Sequence, residues 1–210
     1  MKISMIRITA VSILVFVCRL NGHSQGTFVN LDFESPVLPL IGDGFSQVPI
    51  TNALPGWTGY INGNAVDRVL YNNISLGGSS VSLLDSLSPF PALVPIQGNY
   101  SVYLAAGAGI GQTGQIPNGA ASLVFLSKPF SAFNVSFGGQ LISMLQSGTS
   151  GNNIIMAGDI SRFAGQTGEL LFAGGGLFDD IQFSNQPIPE PNMLGLFGLG
   201  ALLFAWRVKR

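Results

Sequence analysis

The sequence predicts an all-β fold, a single β-sandwich formed by residues 25–186. Runs of β-branched and aromatic residues recur about every ten positions and are broken by Gly, Asn and Pro. Apolar and polar residues alternate within several runs, as at Val29, Leu31 and Phe33, which is the period of a strand with one buried face. Outside the two ends of the chain, no segment keeps apolar residues at helical spacing for three turns. Within this class we expect the jelly-roll strand order.

Residues 1–24 have the organisation of a secretory signal peptide. A positively charged start precedes an apolar run over residues 8–17, and Gly22-His23-Ser24 offers the small residues that signal peptidase requires. We expect cleavage after Ser24. Cys18 leaves a lipid-modified leader as the alternative, although the three residues before it lack the small side chains that this modification needs.

Eleven strands are expected in the sandwich domain. They are the segments 27–33, 57–61, 67–71, 79–84, 100–105, 121–126, 132–137, 140–145, 153–157, 169–173 and 177–183. The section 86–96 contains Pro89, Pro91 and Pro95, which lack the amide donor that a strand interior needs. We therefore expect a crossover loop there, and a binding-site loop that carries Phe90 is the alternative.

Charge and composition exclude several classes of function. Residues 25–186 contain nine acidic and three basic residues, a formal charge of −6, which makes this domain a poor partner for nucleic-acid phosphates. The single His23 and the single Cys18 both lie in the predicted leader. After cleavage no disulfide, thiolate zinc site, cysteine nucleophile or histidine base could form. We expect a protein that is not an enzyme and has no cofactor, with structural Ca²⁺ as the one exception.

Four carboxylates form a candidate calcium site. The first and last strands of a jelly roll often pair, which would bring Asp32 or Glu34 close to Asp179 or Asp180. Ca²⁺ takes six to eight oxygen ligands, so backbone carbonyls would have to complete the cage. Adjacent residues of a strand point to opposite faces, so only one residue of the aspartate pair can face inward. The alternative is a buried aspartate that accepts hydrogen bonds from turn amides, beside one in solvent.

Two aromatic residues are candidates for contact with carbohydrate. Trp57 and Tyr60 could pack a ring on the C–H face of a pyranose while neighbouring amides bond its hydroxyls. Trp57 follows Pro-Gly and could equally be a core residue that closes one end of the sandwich.

Two further patterns are discounted. Residues 109–114 fit the dinucleotide-binding pattern G-x-G-x-x-G, but a turn follows where the helix should begin, so we expect a glycine-rich hairpin or loop. Asp159 and Glu169 could serve glycoside hydrolysis as a carboxylate pair. Among nine acidic residues some pair always satisfies the required spacing, so this pair indicates little.

The last 24 residues have three ordered parts. The tripeptide Pro189-Glu190-Pro191 precedes an uncharged run that reaches Trp206, and Arg207, Lys209 and Arg210 follow as a basic stop. The 14 residues from 193 to 206 would make a helix of about 21 Å, shorter than a hydrocarbon core of about 30 Å. The terminal cations and the adjacent tryptophan nevertheless favour a short membrane helix.

This tail resembles the PEP-CTERM sorting signal of exported proteins from Gram-negative, biofilm-forming bacteria. The resemblance covers residues 187–210 and implies that the tail holds the protein in the inner membrane until an exosortase processes it near the motif. It departs from the family at Asn192, where members often have a small hydroxyl residue. The resemblance implies a destination on the cell surface or in the extracellular matrix.

The ends of the domain resemble exported jelly-roll modules of the galactose-binding or carbohydrate-binding type. The matching segments are Asn30-Leu-Asp-Phe-Glu34 with Leu54-Pro-Gly-Trp-Thr58, and 159–172 with Phe178-Asp-Asp-Ile-Gln-Phe183. These segments cover 30 residues at the two ends and leave the middle of the domain unmatched. The resemblance implies the fold, and sugar binding as one of many functions that such sandwiches carry.

Three hypotheses about function follow. The first is a non-catalytic, exported surface or matrix protein sorted by its tail, with signal peptidase and exosortase as processing enzymes. The second is a carbohydrate-binding module that engages exopolysaccharide, and the third is a secreted glycosidase.

Overall fold

The computed structural model describes residues 26–38 and 47–188, and these residues are almost entirely β-structure. Residues 50–53 form a short helix α1 and residues 161–163 a 3₁₀ turn. The strands are β1 Gln47–Pro49, β2 Thr58–Ile61, β3 Asn64–Val66, β4 Arg68–Tyr71, β5 Val81–Leu84, β6 Ser101–Gln115, β7 Ser122–Ser127, β8 Ala132–Phe137, β9 Gln140–Ile142, β10 Met144–Ser150, β11 Asn153–Asp159 and β12 Thr167–Ser184. The all-β prediction is confirmed.

The predicted signal peptide and C-terminal helix lie outside the described residues. Within the described ranges, the structure contains no helix with the length and apolar character needed to cross a membrane.

Two long strands, β6 and β12, organise the sheet. They pair antiparallel from Val102 with Phe178 to Gln115 with Thr167. One end of this ribbon is flanked by β2 beside β6 and by β8 beside β12. The other end is flanked by β5 beside β6 and by β7 beside β12, and β4, β1, β11 and β10 continue the sheet outward. All strand pairs are antiparallel except β4 with β5.

A sharp bend in β12 folds the sheet over its own core. The register between β12 and β6 shifts between Gly174 and Gly176, and both glycines have positive φ (137° and 141°). Phe172 and Phe178 lie on either side of this shift, six residues apart, and their rings stack with centroids 5.0 Å apart. Six residues of straight strand would span about 20 Å, so the bulge must turn the chain back toward itself. The result is a sandwich-like arrangement.

Aromatic side chains fill the space inside the bend. Phe125 of β7 packs edge-on against Phe172 and Phe178, with ring centroids 5.3 and 6.0 Å apart. This ring therefore connects the two ends of the β6–β12 ribbon. Phe33 from the N-terminal segment packs against Phe178 and Trp57, with ring centroids 5.5 and 5.7 Å apart. Aromatic pairs of this kind add about 0.5–1.5 kcal/mol each beyond the burial of their area.

The predicted strand at 27–33 is wrong. Asn30 (φ 51°) and Phe33 (φ 57°) adopt the left-handed conformation, which interrupts the pleat, and Val29 is 52% exposed. Leu31 and Phe33 are nevertheless buried, and the Leu31 carbonyl accepts a hydrogen bond from the Ile181 amide at 3.0 Å. The segment therefore lies against the end of β12 as expected, without being a strand.

Three other expectations about local structure are corrected. Residues 169–173 and 177–183 belong to one strand, because β12 continues through its bulge. Residues 109–114 are interior to β6 instead of forming a hairpin or loop. The expected strand 140–145 is divided between β9 and β10. The section 86–96 contains no strand, as predicted, whereas the jelly-roll strand order stays a prediction.

Candidate functional site

A groove of about 570 Å³ lies on the outer face of the sheet, where β2, β6, β12 and β8 run side by side. Tyr60, Gly109, Ala173 and Asn134 are directly paired from strand to strand and form a row across it. Directly paired residues point to the same face of a sheet. Gly109 and Ala173, in the middle of the row, are small and form the floor of the groove. The larger side chains of Tyr60 and Asn134 stand on either side of it.

The opposite face of the same strands packs into the core. The adjacent row, Gly59, Ile110, Phe172 and Val135, is buried. Strand alternation therefore fixes the orientation of the groove, since burying the phenylalanine requires its neighbour Ala173 to face outward.

Tyr60 and Glu169 form the polar centre of the groove. The Tyr60 hydroxyl donates a hydrogen bond of 2.6 Å to Glu169 Oε1. This hydrogen bond and partial burial raise the pKa of Tyr60 above its ordinary value. The phenol therefore stays protonated, and remains a donor, to a higher pH than a free tyrosine.

The contact between Tyr60 and Glu169 requires glycine at position 111. The two residues lie on β2 and β12, and β6 passes between them. A Cβ atom on Gly111 would lie 2.5 Å from Glu169 Oε1 and 3.2 Å from Tyr60 Cε2. The glycine-rich part of β6, which fits the dinucleotide-binding pattern, thus allows side chains of the two flanking strands to meet across the outer face of the sheet.

The charge of the groove is negative. Its lining contains the side-chain amides of Asn62 and Asn134 and the carboxylate of Glu169, and no lysine or arginine among the described residues lines it. The described residues as a whole have eight acidic and three basic side chains, a formal charge of −5. The groove can therefore accept hydrogen bonds from hydroxyl or ammonium groups and present an aromatic ring to an apolar face.

Of the two aromatic residues predicted to contact sugar, only Tyr60 lines this groove. Trp57 is 4% exposed and its indole Nε1 donates to the Asn30 carbonyl at 3.0 Å. Its ring packs against Phe33 and Phe172. Trp57 is thus the core residue that the sequence allowed as the alternative, and its ring is not accessible to a sugar.

Glu34 and Asp32 are two of the four carboxylates predicted to bind calcium, and Glu34 fixes the position of the N-terminal segment. Glu34 accepts hydrogen bonds from the backbone amides of Asn99 (2.7 Å) and Tyr100 (2.9 Å), and from the Asn99 side chain (2.9 Å). Asp32 is exposed, and its Oδ1 accepts from the Glu34 amide at 3.3 Å. The Glu34 contacts attach the N-terminal segment to the loop before β6.

Asp179 and Asp180 have different environments, although regular strand alternation is not the reason. Asp180 has a left-handed backbone (φ 51°) where the register between β12 and β7 shifts between Asp179 and Gln182. Asp179 is 1% exposed and accepts hydrogen bonds from the Ser101 hydroxyl (2.6 Å) and from the backbone amides of Gln97 (3.1 Å) and Asp180 (2.7 Å). Burial raises its pKa to about 7, although these hydrogen bonds oppose the shift. Asp180 is half-buried and accepts a hydrogen bond from Gln182.

No group of three or more His, Cys, Asp or Glu residues within 26–38 and 47–188 is placed to share a metal ion. Asp179 and Glu34 direct their oxygens at protein donors, which matches the alternative of a buried aspartate bonded to turn amides. Calcium binding stays a prediction.

Sequence reasoning did not assign Glu169 or Asn134 to a binding site. The alternation Glu169, Leu171, Ala173 against the buried Leu170 and Phe172 is the pattern that could have placed these side chains outward. The contact with Tyr60 spans 109 positions of sequence and has no local pattern.

The comparisons with known proteins concern the C-terminal segment. Residues 187–210 match the family model described as the PEP-CTERM protein-sorting motif, which begins just after β12 ends at Ser184. No curated protein matches the chain. The matched range contains the predicted motif Pro189-Glu190-Pro191 and the basic stop, both of which lie outside the described residues. The chain therefore has a PEP-CTERM sorting signal, which supports an exported protein that an exosortase processes at the membrane.

Proposed function

We propose that this is a non-catalytic, exported surface or matrix protein whose β-sandwich is displayed through PEP-CTERM sorting. In this proposal residues 1–24 direct export and signal peptidase removes them. Residues 187–210 then hold the protein in the inner membrane until exosortase cleavage. The match at 187–210, directly after the last strand, is the observation that carries the proposal. Its destination is the cell surface or extracellular matrix of a Gram-negative bacterium.

The proposal is tested by expressing the full chain in a host with an exosortase and in the same host lacking it. Mass spectrometry of the exported protein should show loss of Arg210 and its neighbours only where the exosortase is present. A Glu190→Ala variant should keep the tail in both hosts, and the wild-type N-terminus should begin at Gln25. Intact Arg210 on all exported wild-type protein would contradict processing at the tail.

A second candidate function, carbohydrate binding, is favoured by the groove. Its volume of about 570 Å³ falls within the range of about 300–1,000 Å³ that ligand pockets occupy. It combines one half-buried aromatic ring, Tyr60, with amide and carboxylate groups, and this combination suits the C–H faces and hydroxyls of a sugar. Binding to exopolysaccharide should therefore be lost in Tyr60→Ala, as measured on a glycan array or by polysaccharide pull-down.

The single carboxylate that lines the groove among the described residues favours binding over hydrolysis. Glycosidases place two carboxyl groups about 5–9.5 Å apart across the scissile bond. Glu169 is the one carboxylate among the described residues that line the groove. Asp159, its potential partner by sequence, lies at the end of β11 and accepts a hydrogen bond from the Ser161 amide at 2.9 Å. We expect no turnover on a panel of polysaccharides, and release of reducing ends would overturn this assignment.

A further inference from the structure

We propose that the groove selects a glycan that carries free amino groups, with the Glu169 carboxylate as the partner of an ammonium group. This inference rests on carbohydrate binding, the second candidate function above, and names the ligand class for the same site. It follows from the position of the carboxylate, from the charges around it and from the shape of the floor.

The Glu169 carboxylate has an oxygen available for a ligand. Tyr60 donates to Oε1, and of the residues that the structure describes no other side chain or amide donates to the carboxylate. The hydrogen bond from Tyr60 and the close approach to Gly111 hold the carboxylate in place, and Glu169 is among the residues that line the groove. A fixed, acceptor-only group of this kind is matched by an ammonium, which has three donors and a positive charge.

No cation of the described residues competes for this carboxylate. Arg68 donates to the Gln47 carbonyl at the outer edge of the sheet, and Arg162 donates to the Leu141 carbonyl and lies over the Phe163 ring. Lys128 is also absent from the groove lining. A glycan with uronic-acid groups would bring a like charge to Glu169 with no cation to compensate it, so the site discriminates against acidic polysaccharides.

The shape of the groove suits an extended chain. Tyr60 and Asn134 stand three strand spacings apart, about 14 Å, with Gly109 and Ala173 as the floor between them. A sugar ring packed on Tyr60 would place its substituents toward Glu169, while the next ring along the chain would reach the Asn134 amide. The Glu169 carboxylate and the Asn134 amide oxygen accept hydrogen bonds along this path, and the Tyr60 ring supplies the apolar contact.

The test uses the full-length chain in a polyoxyethylene detergent, which has no sugar headgroup. Isothermal titration calorimetry at pH 5.5 compares four ligands of equal length: a glucosamine hexamer, an N-acetylglucosamine hexamer, cellohexaose and hexalysine. We expect the glucosamine hexamer to bind about 10- to 100-fold more tightly than the two uncharged hexamers, the range of one hydrogen bond to a charged group. Hexalysine, which has charge without sugar rings, should bind no better than they do.

Two variants and one control locate the effect. Glu169→Gln should reduce binding of the glucosamine hexamer to the level of the uncharged hexamers and leave theirs unchanged. Tyr60→Ala should weaken binding of all three sugars. Asp67→Asn removes an exposed carboxylate outside the groove and should change nothing, which separates local pairing from net charge.

Three outcomes would overturn the inference. Equal binding of charged and uncharged hexamers would remove the preference for amines and leave carbohydrate binding in place. Hexalysine binding as tight as glucosamine would reduce the site to general attraction of cations. Absence of binding to every sugar would overturn both this inference and carbohydrate binding, whereas export and processing would still be decided by the separate mass spectrometry experiment.

Discussion

The buried Asp179 carboxyl should make the protein less stable as pH rises from 4 to 7. Burial raises its pKa to about 7, against opposing hydrogen bonds from Ser101, Gln97 and the Asp180 amide, and the charge of Asp180 adds to the shift. In the unfolded chain an aspartate has a pKa of about 3.9. Between these two values the folded protein keeps a proton that the unfolded chain has lost, so the contribution of Asp179 to the unfolding free energy decreases with pH.

The magnitude follows from the width of this interval. One pKa unit corresponds to about 1.4 kcal/mol, so a shift of about three units corresponds to about 4 kcal/mol. The stabilisation is fully present below pH 4 and is lost as pH rises through 7. This is the opposite of the usual aspartate, which stabilises the folded state at neutral pH.

Replacing Asp179 by Asn removes this dependence, because an amide does not titrate. At pH 4 the variant should be less stable than wild type by about 1–3 kcal/mol, since its NH₂ group would face one of the backbone amides that now donate to the carboxyl. Near pH 8 the order should reverse, because wild type then has a buried charge and the variant does not.

The measurement is urea denaturation of both proteins at pH values from 4 to 8, followed by the circular dichroism of the β-sheet. The difference between the two curves isolates Asp179, because other titrating groups contribute to both. Asp159 is one of these, and its pKa is lowered mainly by the hydrogen bond from the Ser161 amide. Parallel curves for wild type and variant would refute the reasoning.

Three further predictions concern the core, the groove and calcium. Trp57→Ala should lower the unfolding free energy by about 3–5 kcal/mol in urea denaturation, because it empties a buried aromatic site, and an exposed role would give almost no change. Gly111→Ala should displace Glu169 and lower the pKa of Tyr60 in an ultraviolet titration of tyrosinate. Gly148→Ala, where a Cβ meets only an ordinary contact, is the matched control and should leave that titration unchanged. The melting temperature should be the same in excess EDTA and excess Ca²⁺, since Asp179 and Glu34 accept protein hydrogen bonds, and a higher melting temperature in Ca²⁺ would instead support the calcium site.

Strands could be predicted wherever local composition and pairing agree. Residues 132–137, with alternating residues between turns, form β8 with the expected bounds. The sequence predicts two strands, 169–173 and 177–183, where β12 is one, because the intervening Gly174-Gly175-Gly176 is typical of a turn. In the structure these glycines form a bulge within one strand, and pairing with β6 continues on both sides of it. Local sequence does not distinguish a turn that ends a strand from a bulge that bends it.

The candidate site was only partly predictable for the same reason. Tyr60 was identified because an aromatic ring suits contact with the C–H face of a sugar. Trp57 has equal chemistry, and only its packing shows that it belongs to the core. Glu169 was considered only as one of a catalytic pair and was discounted, because some pair among nine acidic residues always satisfies that spacing. Its contact with Tyr60 could not be predicted, since it depends on β2 and β12 flanking the same glycine of β6.

The sequence by itself determined the β-class of the domain and the sorting segment at 187–210. Both are properties of local order: alternation between turns for the strands, and a Pro-Glu-Pro motif, an apolar run and a basic stop for the tail. The groove and the environment of Asp179 were decided only by the tertiary structure. They depend on strand neighbours far apart in the chain, and on a bend in β12 that folds one sheet over its own core. Long-range pairing of this kind depends on the packing of the whole domain, which no local pattern contains.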